Sequence, residues 1–200
     1  IRLGDQLIKA GEREPARRAF DQAYRLAANL GASQLLADAA MAASPGLLSI
    51  ESGVVDAFLV ELLDSAAALF SDSDCSTYPR LIARLSLALH WSDAHLRARD
   101  LAERAALANL SGDLEAKSNV QQALWFTRHG PSFLDERRRI ASDLVAYGRE
   151  SIAPETQLVS QLFWLYSLLE RGQMSAFEKE KGTFRDLAEN LKQPQALWYV

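Results

Sequence analysis

Three histidines (His90, His95 and His129), a single cysteine (Cys75) and scattered carboxylates are the raw material from which an active site could be built. The histidines are too few and too dispersed for a triad or a metal centre, and His129 precedes a Gly-Pro turn, where imidazole often caps a helix end. No His or Cys cluster has metal-ligand spacing, and Cys75 has no partner for an internal disulfide, which fits a reducing, cytoplasmic setting. The phosphate loop G-x4-GK-[ST], a GxGxxG after a strand, HExxH and G-x-S-x-G are all missing, so nucleotide binding and the common hydrolase mechanisms lack their scaffolds. The expectation is a non-enzyme with no cofactor and no metal.

Binding chemistry is better represented. Gln121, Trp125 and Arg128 stand at i, i+4 and i+7, the positions that share one face of a helix; Gln157, Gln161 and Trp164 repeat the spacing, and Arg80 and Arg84 extend the stripe backwards. Tryptophan and arginine combine large buried area with a polar handle and are enriched at binding hot spots. The competing reading has the tryptophans filling gaps between helices and the glutamines facing water.

Charge narrows the partner. The chain has 22 Lys+Arg against 26 Asp+Glu, a net charge of −4, with both signs interspersed. Arg137, Arg138 and Arg139 are consecutive, so helical geometry spreads them over most of a turn, and a solvated face is expected. Direct nucleic-acid contact is not expected without clustered cations. No apolar run reaches the roughly 18 residues that would span a bilayer, so no membrane segment is expected.

The elements that must position these residues are helices. Ala and Leu are abundant, apolar residues recur at three and four, and strand signals hardly appear. The stretch LRARDLAERAALANL puts Leu96, Leu101, Ala105 and Ala108 on one face and leaves Arg97, Arg99, Asp100, Glu103 and Arg104 outside. Asp93, Asp113 and Ser132 are expected helix starts. Pro45-Gly46 ends a helix and leaves a loop whose Leu47, Leu48 and Ile50 are expected to tuck against the array. Alternate breaks divide the chain into units of roughly 37 to 44 residues with two helices each, the mark of a helical-repeat solenoid. The predicted units are residues 1–31, 33–71, 76–111, 113–151 and 154–192, with another beginning at 194–200.

The opening stretch IRLGDQLIKAGEREPARRAF places Leu3-Gly4, Leu7, Gly11, Ala16 and Phe20, then Ala23, at the spacing LG-x2-L-x3-G-x4-A-x3-F-x2-A, which resembles a tetratricopeptide repeat. Gly4 and Ala16 are small where paired helices approach most closely, Gly11 ends the first helix, and Phe20 and Ala23 fill the contact from the second. Later units keep the architecture and lose the consensus. The fold expected is all-α, a right-handed α-solenoid of antiparallel helical hairpins, built from divergent tetratricopeptide-like repeats. Leu3-Gly4 sits well inside a repeat's first helix, and the helix begun at Pro194 stops before its partner, so truncation at both ends is expected. In such arrays the first helix of each hairpin lines the concave surface, which makes the Arg80, Arg84, Gln121, Trp125, Arg128, Gln157, Gln161 and Trp164 stripe a candidate groove.

Several pieces taken together, RLIARLSLAL, LAERAALANLSGD, ALWFTRHGPSFLDERRRIASDLVAYG and LKQPQALWYV, are similar to the helical-repeat region of large bacterial LuxR-type signal-transducing ATPases. The resemblance implies a non-catalytic arm that senses a small-molecule inducer or a protein partner and acts on other domains of a parent chain. This sequence departs from that family in carrying neither a phosphate loop nor a DNA-binding tail. A free-standing docking adaptor is the alternative.

Overall fold

The computed structural model describes residues 1–44, 53–70, 77–151, 153–192 and 194–199. Among them every regular element is helical: α1 (Arg2–Lys9), α2 (Arg13–Asn29), α3 (Ser33–Ala43), α4 (Ala57–Ala67), α5 (Thr77–Ala88), α6 (His95–Ala106), α7 (Leu114–Thr127), α8 (Leu134–Glu150), α9 (Pro154–Glu170), α10 (Met174–Leu191) and α11 (Pro194–Trp198). A 3-10 turn, Pro131–Phe133, leads into α8.

Each helix packs on the next, and α1, α3, α5 and α7 also touch in succession. Where the connections are short, as between α1 and α2, α2 and α3, α8 and α9, and α9 and α10, the joined helices must run antiparallel, and the chain is an all-α solenoid of helical hairpins. The tightest packing within the first hairpin is at Gly4, where an added Cβ would fall 2.7 Å from Phe20 Cδ1 and Cζ. Gly148 plays the same part between α8 and α9, its place for a Cβ lying 2.9 Å from Ser160 Oγ. Gly11 and Gly172 turn the chain from the first to the second helix of their hairpins, with φ of 84° and 65°, values that favour glycine.

The core is continuous. One cluster runs from Ala27 through Leu63, Leu81 and Leu85 to Ala123, and a second from Trp125 through Leu144, Leu158 and Phe163 to Ala196; Leu124 and Phe126 touch both. Helix α9 is buried on nearly every side, packed between α8 of the preceding hairpin and its own partner α10.

Helix starts differ in part from the sequence expectation. Asp113 accepts a hydrogen bond from the Ala116 N–H at 2.8 Å, and Asp56 caps α4 in the same way through Leu59 N–H at 3.2 Å. Asp93, however, makes no cap to α6; the neighbouring Ser92 hydroxyl accepts from the Ala94 N–H at 3.1 Å and shapes the turn before the helix begins. Ser132 falls inside the 3-10 turn, and α8 begins at Leu134 without a side-chain cap. The arginine run on α8 is also not uniformly solvated: Arg137 is buried, because its place on the helix turns it toward α7 and α9. Leu47, Leu48, Ile50 and Cys75 lie outside the described residues.

The array bends strongly. Lys9 Nζ, at the end of α1, lies 3.2 Å from Glu155 Oε1 at the start of α9, and the place for a Cβ on Gly11 is 3.4 Å from Pro194 Cγ in α11. The first hairpin therefore meets the fifth and the helix after it.

Candidate functional site

Bending brings the first helices of four successive hairpins around one cavity of about 350 Å³. Helix α1 contributes Asp5, α3 contributes Gln34, Asp38 and Met41, α5 contributes Thr77, Arg80 and Arg84, and α7 contributes Glu115. These positions face inward because each helix spends its opposite face on its own hairpin partner, leaving the polar side toward the hollow.

The polar groups are unevenly partnered. Arg80 pairs with Glu115, joining α5 to α7. On α3 the Gln34 amide donates to Asp38 at 2.9 Å, and the Thr77 hydroxyl donates to the Gln34 carbonyl at 3.3 Å. Both arginines have a dry, unpartnered Nε, but Arg84 makes no ion pair among the described residues and its Nη1 is also shielded from water without a hydrogen-bond partner. Burial pulls its guanidinium down to about 10, with Glu115 opposing the shift and Arg80 adding to it, so it stays charged at neutral pH. A buried unpaired cation is costly, and such groups concentrate at sites that receive a counter-charge. Asp5 and Asp38 have no cationic partner among the described residues.

Among the solved structures, two matches cover most of this chain. One is a point variant of a Podosopora anserina kinesin-light-chain protein with nearly identical TPR-like repeats, at 17% identity over 94% of this chain and 92% of that one, with a TM-score of 0.50. The fold is TPR-like. The same Podosopora anserina protein without that change aligns at 16% identity over 96% and 94% of the two chains, TM-score 0.48. No family model and no curated protein matches the sequence.

Within this TPR-like frame the eight residues of the proposed stripe separate. Arg80 and Arg84 line the cavity. Gln121 is half-buried, its Oε1 dry and without a partner among the described residues. Trp125 is 6% exposed and sits in the core, with the Arg137 guanidinium stacked 3.5 Å above its ring centre and Phe163 edge-on at 4.9 Å. Arg128 is clamped between Glu103 at 3.2 Å and Glu136 at 3.0 Å. Gln157 donates to the Ser151 carbonyl at 2.9 Å, and Gln161, buried, donates to Glu180 Oε2 at 3.0 Å. Trp164 lies under the Arg138 guanidinium at 5.2 Å. The arginine pair thus borders the hollow, while the contacts of Trp125, Arg128, Gln157, Gln161 and Trp164 run to neighbouring helices and turns.

The inward-facing Asp5, Gln34, Asp38, Thr77 and Glu115 are not legible as site residues from sequence. The available signal is that each lies on the first helix of a hairpin, which fixes the element but not the face.

The histidines form a different feature. His90 sits against Trp91 at 4.6 Å, Phe126 at 4.8 Å and His129 at 5.0 Å between ring centres. Burial, then His129 and Arg137, push its pKa down to about 4, so the ring is neutral at physiological pH. No group of three or more His, Cys, Asp or Glu residues among those described could hold a metal ion, and among the same residues no helix is long and apolar enough to cross a membrane.

Proposed function

We propose that this chain is a non-catalytic binding arm whose inner cavity receives a ligand or a segment of a partner protein. The observation that carries the reading is Arg84, a charged side chain with two dry, unpartnered nitrogens, placed on the cavity wall by α5. A scaffold that merely needed to pack would fill this position with an apolar side chain, since a buried unpaired cation destabilises the fold. The TPR-like architecture supports the reading because stacked hairpins build extended concave surfaces suited to docking.

The finer reading follows the sequence resemblance: the arm belongs to a LuxR-type signal-transducing ATPase of bacterial type, works in the cytoplasm, and passes ligand occupancy to other domains of its parent. Such coupling requires the ligand to bind two arrangements of the arm with different affinity. The free-standing adaptor remains the second reading. An upstream continuation of the reading frame into a phosphate-loop domain supports the first, and a start codon just before Ile1 supports the second. The five hairpins, residues 1–31, 33–71, 76–111, 113–151 and 154–192, are proposed as the repeat units.

Selection of phage-displayed peptides against the purified chain tests the docking role. Selected peptides should lose at least about tenfold in affinity on Arg80→Glu or Arg84→Gln with helix content unchanged. Peptides indifferent to both substitutions bind elsewhere and remove the cavity from the docking role.

A further inference from the structure

The unpaired charges of the cavity are of both signs, and their count is informative. Arg80 and Glu115 form an ion pair, Arg80 keeping one dry unpartnered Nε, which leaves one cation, Arg84, and two carboxylates, Asp5 and Asp38, without an ion-pair partner among the described residues. A polyanion such as phosphate would meet one unpaired guanidinium against the two unpaired carboxylates of Asp5 and Asp38 and be disfavoured. A simple amine would leave the guanidinium unanswered. A cavity of about 350 Å³ lies in the size range of small-molecule sites.

We infer that the cavity is a site for a free basic amino acid, its carboxylate on Arg84 and its two cationic groups on Asp5 and Asp38. The ligand's one negative and two positive charges are the complement of the three unpaired wall groups. Arginine suits the carboxylate because its planar donors match that geometry and charge-assisted bonds are the strong ones, and Arg84 is the shielded member of a wall whose Asp38 and Glu115 reach solvent. The acids come from α1 and α3 and the arginine from α5, so one small molecule would contact three successive hairpins at once. Gln34 holds Asp38 in place through its amide, and Thr77 in turn holds Gln34, a relay that positions the acid from α5. The inference rests on the cavity being a binding surface, as proposed above, and goes further by naming the chemistry of the occupant.

Isothermal titration calorimetry of the purified chain with L-lysine, L-ornithine and L-arginine, each singly, tests it. At least one should bind saturably with a Kd of about 1 mM or tighter. Cadaverine, which lacks the carboxylate, norleucine, which lacks the side-chain ammonium, and Nα-acetyl-lysine, which lacks the α-ammonium, should each bind at least about tenfold more weakly than lysine or not at all. Arg84→Gln and Asp38→Asn should each weaken the amino acid by a similar factor. The ligand series on the unaltered protein decides the matter even where a variant fails to fold.

No saturable binding by any of the three amino acids overturns the inference. Equal binding of Nα-acetyl-lysine overturns it in favour of a peptide carboxy-terminus, and equal binding of inorganic phosphate overturns it in favour of a plain anion site. Peptide selection that succeeds while the amino acids fail leaves the docking role standing and removes this inference alone. Amino-acid binding without any selected peptide does the reverse.

Discussion

Gly4 and Phe20 meet so closely that the ring of Phe20 occupies the space where a side chain on Gly4 would begin: a Cβ there would lie 2.7 Å from both Cδ1 and Cζ. Phe20 is 1% exposed, so the ring has little room to retreat. Gly4→Ala gains up to about 1 kcal/mol of helix propensity but forces an overpacked contact costing about 1–3 kcal/mol. The net expectation is a lower urea midpoint, recovered in part by Gly4→Ala combined with Phe20→Leu. A single variant as stable as the parent would mean that α1 and α2 can slide apart freely.

The stack of Arg137 on Trp125 is held by a second contact, from Arg137 Nη2 to Glu170 Oε1 at 2.6 Å. Burial pushes the Glu170 carboxyl up while Arg137 pulls it down. Glu170→Ala leaves the guanidinium on the indole face without its counter-charge and should cost about 2–3 kcal/mol in equilibrium unfolding. Arg137→Met with Glu170→Gln, which removes both charges and keeps the bulk, should cost less than the single change. A double variant less stable than Glu170→Ala would contradict this account.

Acid should loosen the same end of α7. The His90 pKa falls from an ordinary 6.5 to about 4 in the folded chain, chiefly by burial. The unfolded chain then binds a proton between pH 6.5 and 4 that the folded chain refuses. Stability is therefore steady above pH 6.5, declines as pH falls toward 4, and levels off below. With the ring only half-buried, solvent screening reduces the effect to about 1–2 kcal/mol. Unfolding midpoints measured from about pH 4 to about pH 7 should show the slope, and His90→Phe should reduce it, the remainder coming from His129, whose pKa is also lowered by burial.

Lys9 and Glu155 are both substantially exposed, so their pairing should contribute about 0–1 kcal/mol to stability while helping set the curvature. In a Cys75→Ser background, spin labels at Glu14→Cys and Glu189→Cys report the separation of the first and fifth hairpins. Lys9→Glu should lengthen or broaden that distance, and Lys9→Glu with Glu155→Lys should restore it. A distribution identical in all three would assign the curvature to core packing alone.

The first hairpin is the most legible part of the sequence, since Gly4, Gly11, Ala16 and Phe20 each occupy the position their size or backbone freedom demands. Asp113 is legible as a cap because its chemistry is local. Asp93 misleads because Ser92 competes for the same turn, and no spacing rule ranks two adjacent cap formers. The placing of Trp125 depends on something no helix wheel contains. Helix α7 packs on α5, α6 and α8, and α9 on α8 and α10, so i, i+4, i+7 spacing names a stripe without saying whether it faces the hollow or a neighbouring helix. Asp5, Asp38 and Glu115 stay hidden for a related reason: three separate helices bring them together only through the bend.

That bend alters how the chain should come apart. In an open row of hairpins the terminal units touch one neighbour each, fray first, and leave the middle intact, so stability is close to a sum of nearest-neighbour links. Here Lys9 and Gly11 reach Glu155 and Pro194, turning the row into a circuit. Breaking a circuit at one place leaves every unit still tethered from the other side. Amide exchange should therefore find α1 slower than an unsupported end helix, and Lys9→Glu should speed its exchange while leaving α5 unchanged, since the closing contact is small and exposed.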